Sequence, residues 1–305
     1  MAARREKPGF YLALTFLELL VVIAIVVVLL ALGAAGAHNA RAESARAHCL
    51  ANLRGIASAS LAYSMEDSRG FLLPIHPTAD HNRVYDDGFF DFGGGSGTKA
   101  MWDGTRVGPD SQREAHTRPL NRWVGITGAQ DSDYAVFRCS ADNGFNPPLL
   151  YEGWDMWEDR FRDESAFGLV GTSYWGNACK VAFGPDGETG PMVSISPWLR
   201  PATRVPDTSR TVLYMEMPVG FNLSYLRFEG GVRMAFQGVA GWHAGDPPRF
   251  NLAFCDASAA TVGLRGGWLP GAGEGEHVLR PGTVRFDCYP DPPIPDPPVQ
   301  RVPRH

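Results

Sequence analysis

Residues 19–37 read LLVVIAIVVVLLALGAAGA, nineteen positions without a charged side chain. As a helix rising 1.5 Å per residue, this run is roughly 28 Å long, about the thickness of the hydrocarbon core of a bilayer. The head before it carries Arg4, Arg5 and Lys7 against Glu6 alone. Because positive flanks stay on the cytoplasmic side of a membrane, the stretch predicts one membrane-spanning helix with the rest of the chain outside the cytoplasm.

A helical pattern continues beyond the apolar run. No proline occurs between Tyr11 and Leu73, and apolar residues after position 49 recur at helical spacing. We therefore expect one continuous helix from about residue 14 to about residue 67, with a transmembrane half over 14–37 and an amphipathic half over 38–68. A cleaved secretory signal is the alternative. The length of the apolar run and the helical pattern after it both oppose that alternative.

Glu18 stands at the entrance of the apolar run. An unpaired carboxylate at that depth costs several kcal/mol, roughly, so it needs a proton, a partner or a path to water. The free amine of a neighbouring copy of the chain is a natural partner.

The composition of the whole chain limits its function classes. The 305 residues include 28 Lys and Arg against 33 Asp and Glu, a formal net charge of −5. This balance offers no general basic surface for nucleic acid. The mean hydropathy of −0.16 excludes a polytopic membrane protein. The 35 glycines and 24 prolines indicate a loop-rich fold, and 11% aromatic residues are too many for a disordered chain.

Residues 13–25, ALTFLELLVVIAI, resemble the N-terminal signal of type IV pilins and type II secretion pseudopilins. The resemblance implies cleavage by prepilin peptidase between Ala13 and Leu14, methylation of the new N-terminus at Leu14, and Glu18 as the fifth residue of the mature chain. In that family the glutamate pairs with the amine of an adjacent subunit during assembly. This sequence has Ala13 where the family has Gly and Leu14 where it has Phe. Cleavage at the upstream Gly9–Phe10 pair would make Glu18 the ninth residue.

Later segments resemble, in the same order, a large pilin-like class. They are residues 49–56 with Tyr63 and Pro74, residues 137–142, residues 172–177, residues 206–216, and His243 with residues 251–256. In the last of them, Ala257 and Ser258 replace the Gly-His pair of the class.

Five cysteines fit an oxidising compartment, and their odd number leaves at least one outside any internal bridge. The resemblance pairs Cys49 with Cys139. A bridge between Cys255 and Cys288 is the second expectation, and Cys179 is the fifth cysteine. Reduced, buried cysteines are the alternative. Because no C-x-x-C pair occurs, we predict no metal site.

The strand patterns indicate an α+β fold in which the amphipathic half of the helix packs on an antiparallel sheet. Between residues 70 and 205 the chain reads mostly as loops. We place the extracytoplasmic domain at 69–287, after a leader over 1–13, and we expect the proline-rich tail over 288–305 to be extended polyproline II. The predicted strands are 211–217, the hairpin of 251–255 with 259–264, and the hairpin of 221–228 with 231–236.

No catalytic signature is present, so we do not predict an enzyme. His243 and Asp256 are the most enzyme-like pair, and a turn residue and a hairpin residue are their plainer interpretation. The glycine-rich stretch over 93–99 has Thr98 where a phosphate-binding loop has Gly before its Lys. Trp154 and Trp157 could stack on a glycan, although anchoring of the core and loops is the commoner use of tryptophan.

No cofactor is expected, with calcium as a weaker possibility because acidic residues recur in glycine-rich loops. Solvated loop carboxylates are the plainer interpretation of this pattern. The residues concerned are Asp86, Asp87, Asp91, Asp131, Asp133, Asp142 and Asp186.

The leading hypothesis is a pilin-like structural subunit that assembles into a pseudopilus or pilus-like fibre of a type II secretion-like system. The resemblance implies a single-pass location in the bacterial inner membrane, with the C-terminal domain in the periplasm. Its implied partners are prepilin peptidase, other pilin-like subunits and an inner-membrane assembly platform. The alternative is a membrane-anchored binding module that does not polymerise, and an extracytoplasmic hydrolase ranks third.

Overall fold

A computed structural model describes most of the regular elements of the chain. The described residues are 15–74, 76, 89–97, 114–126, 131–144, 165–178, 180–182, 192–194, 196–228, 231–236, 242–243, 249–263, 266–268, 277–279, 284–286, 288 and 300–301. The chain divides into two compact units, Met1–Ser44 and Ala45–His305.

Helix α1 covers Phe16–Glu66, 51 residues. It begins at a reciprocal capping box. The backbone N–H and the hydroxyl of Thr15 each donate to Glu18 Oε2 at 2.8 Å, and Glu18 N–H donates to Thr15 Oγ1 at 3.3 Å. The helix is followed by a turn in which Asp67 Oδ2 accepts from the N–H groups of Arg69 and Phe71.

In the first unit, every described side chain from residue 15 to residue 32 is exposed, including large apolar ones such as Leu29 and Leu30. An apolar surface on all sides of a helix is typical of a segment that is covered by lipid or by other apolar helices. Among the helices of the described residues, none has both the length and the apolar character that a membrane span requires.

The second unit contains the sheets. Its short helices are α2 (Ala166–Val170) and α3 (Met217–Asn222), and 3₁₀ turns cover Ala115–Thr117, Asn121–Val124, Asp131–Phe137 and Ala202–Arg204. The strands are β1 (Tyr174–Gly176), β2 (Lys180–Ala182), β3 (Met192–Ser194), β4 (Val212–Glu216), β5 (Leu223–Phe228), β6 (Gly231–Phe236), β7 (Arg249–Phe254), β8 (Ala259–Gly263), β9 (Gly266–Trp268), β10 (His277–Leu279) and β11 (Gln300–Arg301).

The strands form a four-stranded sheet in the order β1-β4-β7-β8, a five-stranded sheet in the order β11-β5-β6-β10-β9, and the β2–β3 hairpin. Within the described part of the chain, the pairs between these strands are all antiparallel, so the predicted α+β class with an antiparallel sheet is confirmed. The three predicted strand regions correspond to β4, to the β7–β8 hairpin and to β5–β6, except that residues 221–222, predicted as strand, belong to α3. Two residues of the predicted tail, Gln300 and Arg301, pair with β5.

The C-terminal part of α1 belongs to the core of the second unit. Cys49, Leu53, Ile56 and Ala57 are fully buried in one cluster with the central strands β4 and β7. Burial of a side chain the size of Leu or Ile stabilises a fold by about 1.5–3 kcal/mol. A hydrogen bond of 2.5 Å between Ser60 Oγ and the hydroxyl of Tyr214, on β4, joins the helix to the sheet at depth.

Candidate functional site

A buried polar cluster lies where β4, β7 and the segment before β7 meet. Glu216 is the last residue of β4, and Asn251 is the third residue of β7. Met215 pairs with Leu252 in the register of these strands, so one step along places Glu216 opposite Asn251. His243 forms an isolated bridge with Arg249, which brings its side chain to the same place.

Hydrogen bonds hold the Glu216 carboxylate at both of its oxygens. Oε1 lies 2.8 Å from His243 Nε2 and accepts from Asn251 Nδ2 at 2.8 Å, while Oε2 accepts from Asn251 N–H at 3.1 Å. Asn251 is itself held, since its Oδ1 accepts from Thr261 Oγ1 at 2.6 Å and its Nδ2 donates to the carbonyl of Arg46, on α1, at 3.1 Å.

The cluster is so deeply buried that the hydrogen bonds to Glu216 affect the stability of the fold. The side chains of Glu216 and His243 are 0% and 3% exposed. A carboxylate removed from water costs several kcal/mol, roughly, unless a partner and hydrogen bonds compensate it. Glu216 has that compensation from His243 and Asn251. The arrangement fixes β4, β7 and the segment before β7 to one another.

Cys49 and Cys139 form a disulfide next to this cluster, as the resemblance implied. Cys139 Sγ lies 3.7 Å from His243 Nε2. The bridge ties α1 to the segment after the Asp131–Phe137 turn. The two segments are joined again by Asn52, whose Nδ2 donates to the carbonyl of Arg138 at 3.0 Å.

The expected bridge between Cys255 and Cys288 is wrong for this structure, because both residues are thiols. Cys255 is buried directly after β7, and the removal of its thiol from water is the main reason that its pKa is raised well above the ordinary value. Burial therefore favours the neutral thiol over the thiolate that disulfide exchange requires.

His243 and Asp256 form hydrogen bonds with different partners. His243 Nε2 faces Glu216, whereas Asp256 Oδ1 accepts from Ser258 N–H at 2.9 Å and from Ser258 Oγ at 2.6 Å. Asp256 is exposed in the turn between β7 and β8, which is the hairpin role that the sequence favoured.

The glycine-rich segment packs against protein backbone. Gly94 N–H donates to Asn121 Oδ1 at 2.7 Å, and Gly95 N–H donates to the carbonyl of Gly171 at 2.8 Å. Gly94 has a φ of 104°, and an added Cβ there would collide with the Gly171 carbonyl. Buried Arg118 donates to the carbonyl of Gly93 at 2.8 Å. These glycines permit close backbone contact, which argues against the phosphate-loop interpretation.

Asp142 is the acidic loop residue whose hydrogen bonds are best defined. Its Oδ1 accepts from the N–H groups of Ala166 and Gly144, and its Oδ2 accepts from Phe167 N–H and Ser173 Oγ. Four donors from the chain occupy this carboxylate, so it serves as a structural acceptor at the start of α2.

Several predicted positions lie outside the described residues or their described side chains. They are Ala13, Leu14, Asp86, Asp87, Asp131, Asp133, Trp154, Trp157, Cys179 and Asp186. The cleavage, methylation and glycan predictions therefore stay predictions, as does calcium binding at these acidic residues.

Three buried side chains that lose a proton at alkaline pH predict how the free energy of unfolding changes there. Burial is the main cause that raises the pKa of Tyr174, Tyr214 and Cys255 above their ordinary values. The unfolded chain therefore loses these protons first, so their contribution is complete at neutral pH and is lost as pH rises. We expect the free energy of unfolding to fall above about pH 8.5–10, by up to about 1.4 kcal/mol per pH unit for each group.

Urea unfolding at a series of pH values measures this decline. Tyr214→Phe serves as the matched variant, because it removes one of the three groups and should make the decline shallower. A free energy of unfolding that stays constant to about pH 11 contradicts the prediction, since unfolded tyrosines are ionised by then.

The sequence did not indicate the partner of His243. Glu216 ends the otherwise apolar strand β4, VLYME, and an acid in a buried strand needs a partner. That signal was available, but the partners lie 27 and 35 residues away along the chain, and no local pattern identifies them.

Comparison with known proteins gives no relative for this chain: no family model, curated protein or solved structure matches it.

Proposed function

We propose that the chain is a pilin-like structural subunit, anchored in the bacterial inner membrane by its N-terminal helix and assembled into a pseudopilus or similar fibre. The observation that carries the proposal is the exposed apolar surface over residues 16–32, which contains a single acid, Glu18. Such a surface needs either lipid or the same segment of neighbouring subunits to cover it. A subunit stored in the membrane and then polymerised uses both in turn.

Glu18 supports assembly more strongly than simple anchoring. A carboxylate does not strengthen a membrane anchor, because an acid at that depth is costly. Both bonds from Thr15 fall on Oε2, so the terminal amine of a neighbouring subunit would approach Oε1. An amine and a carboxylate that meet out of water attract strongly and do so only in the correct axial register. In this proposal the pair sets the stagger between subunits.

The attachment of α1 to the second unit suits a fibre subunit. Within that unit the helix is held by its buried apolar face, by the Cys49–Cys139 disulfide and by hydrogen bonds from Asn52 and Asn251. The disulfide would keep the part of α1 from Ala45 onward joined to the rest of the second unit when a fibre is pulled. The disulfide also fits an extracytoplasmic location.

The function is tested by replacing Glu18 in the full chain expressed in its native host. We expect Glu18→Ala to remain in the membrane as unassembled subunit, with loss of nearly all fibre, because the neighbour's amine loses its counter-ion. Glu43→Ala is the matched control, since Glu43 is the next carboxylate along α1 and lies on an exposed polar stretch. Assembly is measured by cross-linking between helices and by the sheared fibre fraction.

Normal fibre formation by Glu18→Ala contradicts the proposal. A wild-type chain that stays monomeric in the membrane and retains Met1 favours the alternative, an anchored binding module that does not polymerise.

A further inference from the structure

The disulfide and the buried polar cluster form one group of metal-ligand atoms. Sγ of Cys49, Sγ of Cys139, a carboxylate oxygen of Glu216 and a ring nitrogen of His243 all lie within 4.8 Å of one another, and all four residues are buried. We propose that the dithiol form of this chain binds one Zn²⁺ ion through these four side chains. The proposal is independent of the function proposed above.

The set of donors is of the kind that zinc prefers. Two thiolates are soft ligands and one imidazole is a borderline ligand, and both kinds favour Zn²⁺ over calcium or magnesium. The carboxylate is a hard ligand that zinc also accepts. Tetrahedral zinc with bonds of about 2.0–2.3 Å places its ligand atoms roughly 3.3–3.8 Å apart. His243 Nε2 already lies 3.7 Å from Cys139 Sγ and 2.8 Å from Glu216 Oε1. Modest side-chain shifts would therefore complete the site once the two sulfurs separate.

The surrounding residues already orient the carboxylate. Asn251 donates to both oxygens of Glu216, and Thr261 and the carbonyl of Arg46 fix the Asn251 amide. Partners of this kind hold a metal ligand in position before the ion arrives. The net charge is also tolerable, because two thiolates and one carboxylate against Zn²⁺ leave a single negative charge beside the Asn251 donors.

The disulfide and the zinc site exclude each other. A dithiol reductant supplies two electrons and two protons and becomes a disulfide. A phosphine supplies the two electrons and becomes a phosphine oxide, while one water molecule supplies its oxygen and the two protons. In either case the S–S bond breaks and two thiols remain. Zinc then binds both sulfurs as thiolates, and the two protons pass to solvent. The same two cysteines therefore link α1 to the segment after the Asp131–Phe137 turn in either redox state, by a covalent bond or through the ion.

Cobalt titration of the intact, detergent-extracted chain tests the site. After reduction with a phosphine and removal of the excess, we expect one Co²⁺ per chain, thiolate-to-cobalt charge-transfer absorption and the visible bands of a tetrahedral ion, all displaced by Zn²⁺. The oxidised chain should show none of this. The Cys255→Ser/Cys288→Ser double variant is the matched control and should bind as the wild type does, whereas Cys49→Ser/Cys139→Ser should lose the charge-transfer absorption.

A second experiment applies if reduction of the disulfide unfolds the chain. In that case the reduced chain is refolded with equimolar Zn²⁺ or with Mg²⁺, and refolding only with Zn²⁺ supports the site. Failure to refold with Zn²⁺ overturns it. For a chain that stays folded, absence of Co²⁺ binding, or charge-transfer absorption that survives in Cys49→Ser/Cys139→Ser, overturns it equally.

Discussion

Replacing Glu216 with alanine is expected to lower the free energy of unfolding by about 3–5 kcal/mol, because buried donors of His243 and Asn251 lose their shared acceptor. The substitution removes the acceptor of His243 Nε2 and of two Asn251 donors, all at positions from which water is excluded. Each donor left without an acceptor contributes about 1–3 kcal/mol of that loss. Urea unfolding of the variant and the wild type measures the difference.

The chain provides its own control for this substitution. His116 and Glu114 form a second histidine–glutamate pair, 3.3 Å apart, with side chains 71% and 35% exposed. Glu114→Ala removes the same kind of interaction from a solvated place, where such pairs contribute about 0–1 kcal/mol. Equal and small effects of the two substitutions would show that the buried cluster does not stabilise the fold as argued. A double-mutant cycle of Glu216 with His243 isolates the energy of that pair.

Loss of the Cys49–Cys139 disulfide is expected to cause the second large decrease in the free energy of unfolding. The bridge joins residues 90 positions apart, and chain-entropy arguments give about 4–5 kcal/mol for a loop of that size. We expect the Cys49→Ser/Cys139→Ser variant to unfold at clearly lower urea concentration than the wild type when metal is chelated. Unfolding experiments with and without a phosphine reductant measure the effect.

Two comparisons separate the bridge from a general sensitivity to cysteine substitution. Cys288→Ser should behave almost as the wild type, because Cys288 is a partly exposed thiol. Reductant should destabilise the wild type and Cys288→Ser but leave Cys49→Ser/Cys139→Ser unchanged. A double variant that is as stable as the wild type contradicts the prediction.

The sequence predicted the elements whose periodicity is strong. The apolar run and the helical spacing of apolar residues after it predicted a helix where α1 lies. The strand pattern on both sides of Asp256 predicted the β7–β8 hairpin. The sequence also indicates the start of the helix, because Thr15 and Glu18 have the spacing of a capping box. We interpreted Glu18 only through its cost in lipid and its likeness to pilins, and the local role was missed.

The middle of the chain was less predictable for a physical reason. Among the described residues between 70 and 205, single side chains that reach across long distances hold several backbone segments in place. Arg118 donates to carbonyls 25, 28 and 52 residues away, and Asn121 bonds both the N–H and the carbonyl of Gly94. The Glu216 cluster is of the same kind, so its ligand-like arrangement emerges only from the fold.

The proposal that residues 14–37 form a membrane helix that polymerises is tested most directly by mass spectrometry of the N-terminus, on chain extracted from its native host. The proposed function predicts a polypeptide that begins at Leu14 and carries a methyl group on its terminal amine. A soluble polypeptide trimmed beyond Ala37 would contradict it, because no apolar segment would then remain for assembly.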